Sequence, residues 1–247
     1  MKMDTRVFTD IDALFRAALE ESLRIMDRCV AQRGRFVIAL SGGHTPERLY
    51  RLWAESEKEK ARTPWDKVHL FWGDERYVPK EDPLSNYRMT REALIAHVSI
   101  PAANVHRAFG PGDGPKGFDS PEGAAEAYES VLRRFFGSAP PAFDLQLLGL
   151  GVEGPTASLF PGSPALEEKK KWVMAVEAPA KPPLRLTLTP VVLNQAQNTL
   201  FLVAGADKRE IVAALKAEPE SGVSQYPAAR IRPAGGVLWF LDKAAVG

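Results

Sequence analysis

Chemistry in this chain collects where apolar runs stop. From Phe143 to Gly162, the residues Leu145, Leu147 and Leu148 make a strand-like run that ends in a loop carrying Gly149, Gly151 and Gly154. Glycines let backbone N–H groups approach a substrate closely, and in an open α/β sheet ligands bind at the loops following the strands. Thr156 then opens a short apolar segment for which helical character is expected. Between them stands Pro155, which can neither titrate nor donate a hydrogen bond, at a position suited to a catalytic side chain.

Four further clusters share this pattern. Ser41-Gly42-Gly43-His44-Thr45-Pro46 follows the apolar run Phe36 to Leu40. Thr45 as N-cap and Pro46 as first helical residue predict a helix through Leu49 and Trp53. Strand, glycine turn and capped helix present free N–H groups to an anion; the same residues also suit a plain βα turn. The loop matches neither the dinucleotide nor the ATP glycine pattern, so neither cofactor is indicated. Gly73-Asp74-Glu75-Arg76 follows the run Val68 to Trp72. Adjacent side chains diverge, so one of Asp74 and Glu75 is expected to face a cleft and the other a structural partner; the alternative is a solvated, salt-bridged turn. Arg185 shares a face with Thr187 and Thr189 in the alternating stretch Leu184 to Thr189, a polar face expected to line water or a cleft. Lys208, after Gly205-Ala206-Asp207, sits in a first helical turn, unfavourable for a cation unless an anion joins it. His69, His97 and His106 show no ligand spacing, and no metal site is expected.

The elements that must position these clusters are legible as alternating patterns. Thr9 or Asp10 caps a helix through Leu14, Phe15, Ala18, Leu23 and Met26 that ends near Gly34. Ser85 caps another, through Met89, Ala93, Leu94 and Val98; further helices are expected over Pro121 to Phe136 and from Pro190 through Ala196. Strands are expected over Trp172 to Val176, Thr199 to Ala204 and Gly236 to Leu241, with Gly110 to Gly117 as a surface loop and Glu167 to Lys171 as a solvated charge run. The alternation predicts one domain over residues 1–247, a Rossmann-like three-layer α/β/α fold with a mostly parallel central sheet.

Composition excludes several classes. A net charge of +1 gives no global attraction to nucleic acid, and no apolar run approaches the ~20 residues that span a bilayer. The single cysteine, Cys29, falls in a helical pattern and reads as a buried structural thiol in a cytoplasmic protein.

Taken together and in order, Ser41 to Pro46, Gly73 to Arg76 with Ser85-Asn86, Leu148 to Pro161, Arg185 to Thr189 and Gly205 to Lys208 resemble the signature of the 6-phosphogluconolactonase family, relatives of glucosamine-6-phosphate deaminase. The resemblance spans almost the whole chain. It implies hydrolysis of 6-phosphoglucono-δ-lactone to 6-phosphogluconate in the oxidative pentose phosphate pathway, without metal or cofactor, by a monomer or small homo-oligomer. It implies that Ser41, Gly42, Gly43 and Thr45 face the substrate and, with Arg185 and Lys208, grip its phosphate. Asp74 and Arg76 would contact the sugar and orient the attacking water, Asn86 would support that loop, and Gly151, Gly154 and Thr156 of the central loop would bind the substrate.

The family pattern for the central loop is Gly-x-Asp-Gly-His-Thr-Ala-Ser-Leu-Phe-Pro, its histidine the proposed general base. This chain resembles it with Glu153 for the aspartate and Pro155 for the histidine. Three accounts follow: a working lactonase whose water is activated by Asp74, Glu153 or His44; a phosphosugar-binding homologue without the chemistry; or an inactivated variant one codon from an active parent. An amino-sugar-phosphate isomerase or deaminase ranks lower, because Gly73 to Arg76 and Ser158 to Pro161 match the lactonase pattern better.

Overall fold

The apolar runs form strands buried on both faces, and everything else is arranged around them. The computed structural model describes residues 3–113, 118–217 and 224–247. In chain order the elements are β1 (Asp4–Phe8), α1 (Ile11–Arg33), β2 (Phe36–Leu40), α2 (His44–Glu55), α3 (Glu57–Arg62), β3 (Val68–Trp72), β4 (Asp74–Arg76), α4 (Asn86–Ala93) and β5 (Val105–His106). They continue with α5 (Pro121–Phe136), β6 (Leu145–Gly149), β7 (Val173–Glu177), β8 (Leu184–Leu188), α6 (Pro190–Leu193), β9 (Thr199–Val203), α7 (Arg209–Ala217), β10 (Val237–Asp242) and α8 (Lys243–Val246).

Seven strands form one sheet in the order β1-β10-β9-β6-β2-β3-β5, every neighbouring pair parallel. Period-two alternation sends β2 residues into two cores: Val37 and Ala39 pack with α5 residues such as Tyr128 and Leu132, whereas Phe36, Ile38 and Leu40 pack with α1 and α2 residues such as Leu14 and Trp53. Burial on both faces explains why these strands read as unbroken apolar runs. The expected three-layer α/β/α architecture is therefore present.

The expected single sheet is incomplete. After β3 the chain turns at Gly73 into the three-residue β4, which joins β8 and β7 in a separate antiparallel sheet ordered β4-β8-β7. The strict alternation of β8 is the pattern of such a sheet, while three residues are too few for β4 to show any period. β1 also escapes sequence reading, because its residues are mostly exposed on the sheet edge and alternate weakly.

Local signals set the helix ends. Asp10 caps α1 by accepting from the Ala13 N–H, and Gly34 closes it in the left-handed conformation. Ser85 caps α4 as expected, but α4 stops at Ala93 and Val98 lies beyond it; α6 likewise stops at Leu193, short of Ala196. Thr45 is not an N-cap: Gly43 holds that position, His44 is the first helical residue, and no side chain caps α2. Cys29 is buried. His69 and His106, on adjacent strands, stack and bring Nδ1 and Nε2 within 3.2 Å, a pairing their sequence spacing hides. Among the described residues no group of three or more potential metal ligands gathers, and no helix is long and apolar enough to cross a membrane. Of the loop read over Gly110 to Gly117, residues 114–117 lie outside the described residues.

Two buried tyrosines, one from each helical layer, fix the ends of the central strands. The Tyr50 hydroxyl on α2 accepts from the Ser41 N–H (3.0 Å) and donates to the Ser41 carbonyl (2.9 Å). Tyr128 on α5 makes the same pair with Trp72, both at 2.9 Å. Burial pushes both phenols above the ordinary tyrosine range, so they remain protonated donors. Replacing either with phenylalanine strands a buried N–H and a buried C=O. Tyr128→Phe is expected to lose about 2–4 kcal/mol of stability, measured by urea denaturation; a change below 0.5 kcal/mol would show that the clamp contributes nothing.

Candidate active site

Strand order reverses between β2 and β6, and that switch point is where an open α/β sheet leaves a crevice at its carboxyl edge. A cleft of about 290 Å³ opens there, lined by the loops after β2, β6 and β9 and by residues of β4 and β8. One wall is the β2 loop and the start of α2. Gly42 allows the close approach this wall needs, since a Cβ there would lie 1.9 Å from Asn86 Oδ1. With no side-chain cap, the first N–H groups of α2 belong to a helix N-terminus bordering the cleft, a partial positive charge.

The opposite wall is the β4–β8 pair. Asp74 stands opposite Thr187 and Arg76 opposite Arg185, so these four side chains share one face, and Asp74, Arg76 and Arg185 line the cleft. Two guanidiniums directly across an antiparallel pair repel each other. Arg185 is only 8% exposed, and burial together with Arg76 pushes its pKa down while Asp74 and Glu75 pull the other way. Arg185 Nε donates to the Pro182 carbonyl (2.9 Å), Arg76 Nη1 donates to the Leu84 carbonyl (2.7 Å), and Arg76 Nε is buried without a partner. Lys208, paired with Asp207 at 2.9 Å, adds a third cation from the β9 loop. That loop is tied down by the Asp242 carboxylate, which accepts from the Gly205 N–H. Three cations and a helix N-terminus make a site for a multiply charged anion.

Glu75 points the other way, as alternation along β4 requires. Its buried carboxylate accepts from the backbone N–H groups of Arg76 (2.8 Å), Asn86 (2.7 Å) and Tyr87 (2.7 Å) and from the Ser85 hydroxyl (3.3 Å). Asn86 Nδ2 donates to the Asp74 carbonyl (2.9 Å). The N-terminus of α4 thus clamps β4 in place behind Asp74 and Arg76.

The floor is the β6 loop, folded on itself. Gly151 N–H donates to the Pro155 carbonyl (2.9 Å), Gly154 N–H to the Gly151 carbonyl (3.0 Å), and the Thr156 hydroxyl to the Gly149 carbonyl (2.8 Å). The proline ring lies so close that a Cβ on Gly151 would stand 2.4 Å from Pro155 Cγ. The segment expected to turn helical at Thr156 is instead a tight reversal: Thr156 and Leu159 bridge, and the residues between them, Ala157 and Ser158, both have positive φ. The Ser158 hydroxyl donates to Asp74 Oδ2 at 2.5 Å.

The cleft brings together Ser41, Gly42, Gly43, His44, Thr45, Asp74, Arg76, Gly151, Pro155, Thr156, Arg185 and Lys208. His44 is exposed. Glu153 is exposed and turns into a separate groove with Phe160, Met174 and Val176. Gly154 is buried behind the floor, its carbonyl accepting from the Ala228 N–H, and Asn86 acts from behind β4. Thr187 and Thr189 do not line the cleft; they are buried, donating to the Ala157 and Lys171 carbonyls. Ser158, which does line it, was not singled out from sequence, since a serine among apolar residues carries no signal of its aim.

An α/β fold with a switch-point cleft holding one carboxylate against three cations defines a protein built for a small, multiply charged anion. The chain belongs to the family described as glucosamine-6-phosphate isomerases/6-phosphogluconolactonase, whose model matches residues 9–239. It is 41% identical to a 6-phosphogluconolactonase of Nostoc sp. over 99% of this chain and 98% of that protein, and 40% identical to one of Mycobacterium tuberculosis with the same coverage. The structure of 6-phosphogluconolactonase from Leishmania guyanensis superposes with a TM-score of 0.83 at 30% identity, covering 99% of this chain and 98% of that one.

The clamp behind β4 carries a pH signature. Burial pushes the Glu75 carboxyl up to about 7, against the lowering effect of its backbone N–H bonds. A carboxyl raised on folding keeps its proton in the folded state between its unfolded value, 4.5, and about 7. Its contribution to stability therefore falls as pH rises through that window. Thermal unfolding at pH 5 and pH 8 is expected to show this loss, and Glu75→Gln is expected to flatten it; an unchanged slope in the variant would assign the pH dependence elsewhere.

Proposed function

We propose that this chain hydrolyses 6-phosphoglucono-δ-lactone to 6-phosphogluconate, with Asp74 as the group that activates water in the absence of the histidine that family resemblance places at Pro155. The carrying observation is the placement of Asp74 on one face with Arg76 and Arg185, in the cleft that also holds Lys208 and the glycine loop. The phosphate is held by the β2 loop with Arg185 and Lys208, which sets the lactone carbonyl toward Asp74. As the water oxygen bonds to C1, its proton passes to the carboxylate, and the charge that develops on the carbonyl oxygen meets the Arg76 guanidinium. The C1–O5 bond then breaks and O5 takes the proton back, leaving the open-chain acid. No electron acceptor or metal enters this balance.

Of the three candidate water-activating groups, geometry favours Asp74. Glu153 lies outside the cleft and His44 stands exposed at its rim. A δ-lactone is an activated ester, so orientation and charge stabilisation sustain hydrolysis with a weak base. A positioned general base typically adds 10²–10⁴-fold. Pro155 favours a second reading, a phosphosugar-binding protein that keeps the grip and lacks the chemistry. A cytoplasmic setting agrees with the single, buried cysteine.

Lactone hydrolysis above the spontaneous rate separates these readings. The parent chain is expected to be active, Asp74→Asn to fall at least 100-fold, and Pro155→His to gain at least tenfold. His44→Ala is expected to stay within twofold, and loss of activity there would make His44 the base. A parent rate equal to background, with retained binding of 6-phosphogluconate, would establish the second reading.

A further inference from the structure

The β6 loop contains two backbone outliers with a shared purpose. Ala157 (φ 45°) and Ser158 (φ 55°) are the only non-glycine residues of positive φ among the described residues, and they are adjacent at the cleft. L-residues avoid this region because Cβ crowds the following carbonyl, and such conformations persist only where the surroundings over-determine them. Here the surroundings do. The Ser158 hydroxyl donates to Asp74 Oδ2, and the Thr187 hydroxyl donates to the Ala157 carbonyl. Asp74 and Thr187 face each other across β4 and β8. Each strained residue is thus tied to one member of a facing pair, and the clasp joins the parallel sheet's loop to the separate antiparallel sheet.

A glycine would adopt the same backbone without strain. What glycine cannot supply is the hydroxyl, so the feature that the strained turn secures is the Ser158–Asp74 bond. That bond occupies Oδ2 and leaves Oδ1 with no protein partner among the described residues. An aspartate side chain lining an open cleft has two torsions free to turn its carboxylate away; a 2.5 Å bond from a residue that is itself 7% exposed removes that freedom.

We propose that Ser158 is a positioning residue for the hydrolysis, its hydroxyl holding the Asp74 carboxylate so that one oxygen stays turned to the water. This rests on the lactonase reading above. Ser158 touches the carboxylate rather than the reacting atoms, so its effect belongs to kcat and not to substrate affinity, which the cations and the glycine loop supply.

The test compares Ser158→Ala and Ser158→Gly with the parent, each also in the Asp74→Asn background and in the Pro155→His background. Both single variants are expected to lose 10–100-fold in kcat with KM within about twofold. Ser158→Gly is expected to melt no lower than the parent, because its backbone is relieved, which separates positioning from folding. With Asp74 already changed to asparagine, removing the hydroxyl is expected to cost less than threefold more. An unchanged kcat in both single variants, beside an active parent, overturns the proposal and leaves the lactonase reading standing. A fall in kcat matched by an equal rise in KM, or a full additional loss in the Asp74→Asn background, overturns it as well. Background rates in both the parent and Pro155→His would overturn the lactonase reading, and this proposal with it.

Discussion

Arg76 and Arg185 face each other across two paired strands, and the rest of the site is arranged around that repulsion. Like charges opposite one another in a sheet are destabilising, and Arg185 is almost fully buried, so water does little to screen the pair. Asp74, two residues from Arg76 on the same face, offsets part of the charge. Asp74, and Asp207 beside Lys208, are two carboxylates against three cations, which leaves a net positive charge that an anionic phosphate would meet. The helix N-terminus of α2, uncapped by any side chain, adds to that surplus from the other wall.

Such a surplus must be held rigidly, or the side chains would splay into solvent. The molecule does this from behind. Tyr50 and Tyr128 bolt the carboxyl ends of β2 and β3 from opposite layers, the Glu75 carboxylate gathers three backbone N–H groups behind β4, and Asp242 secures the Lys208 loop. Tyr128 and Asp242 reach elements 56 and 37 residues away in sequence, whereas Tyr50 and Glu75 fasten neighbouring stretches of chain. The strained turn at Ala157 and Ser158 is the counterpart on the cleft side.

How much of this was legible in the sequence depended on how strongly each feature repeats. β2, β3, β6 and β9 are buried on both faces and were read directly as apolar runs. The opposite aims of Asp74 and Glu75 followed from their adjacency, and the strand character of β8 from its alternation. What the sequence could not convey was partnership. Nothing in Leu184 to Leu188 says that it pairs with a three-residue strand after Gly73, and that pairing is what sets Arg185 against Arg76. Glu153 read as a cleft residue because it lies in the glycine loop; the turn closed by Gly151, Gly154 and Pro155 rotates it outward. Thr45 lost the capping position to Gly43, whose positive φ precedes a helix that starts two residues early. Ser158 owes its aim to a backbone conformation that its residue type does not announce.

Arg185, set against Arg76, is proposed to hold the phosphate. Isothermal titration of the chain with 6-phosphogluconate and with gluconate tests it most directly, because the two ligands differ only in that group. Binding of the phosphorylated acid is expected to be at least 100-fold tighter than that of gluconate, with the difference largely abolished in Arg185→Met. Equal affinity for the two acids, or a preference for phosphate that survives Arg185→Met intact, would contradict it.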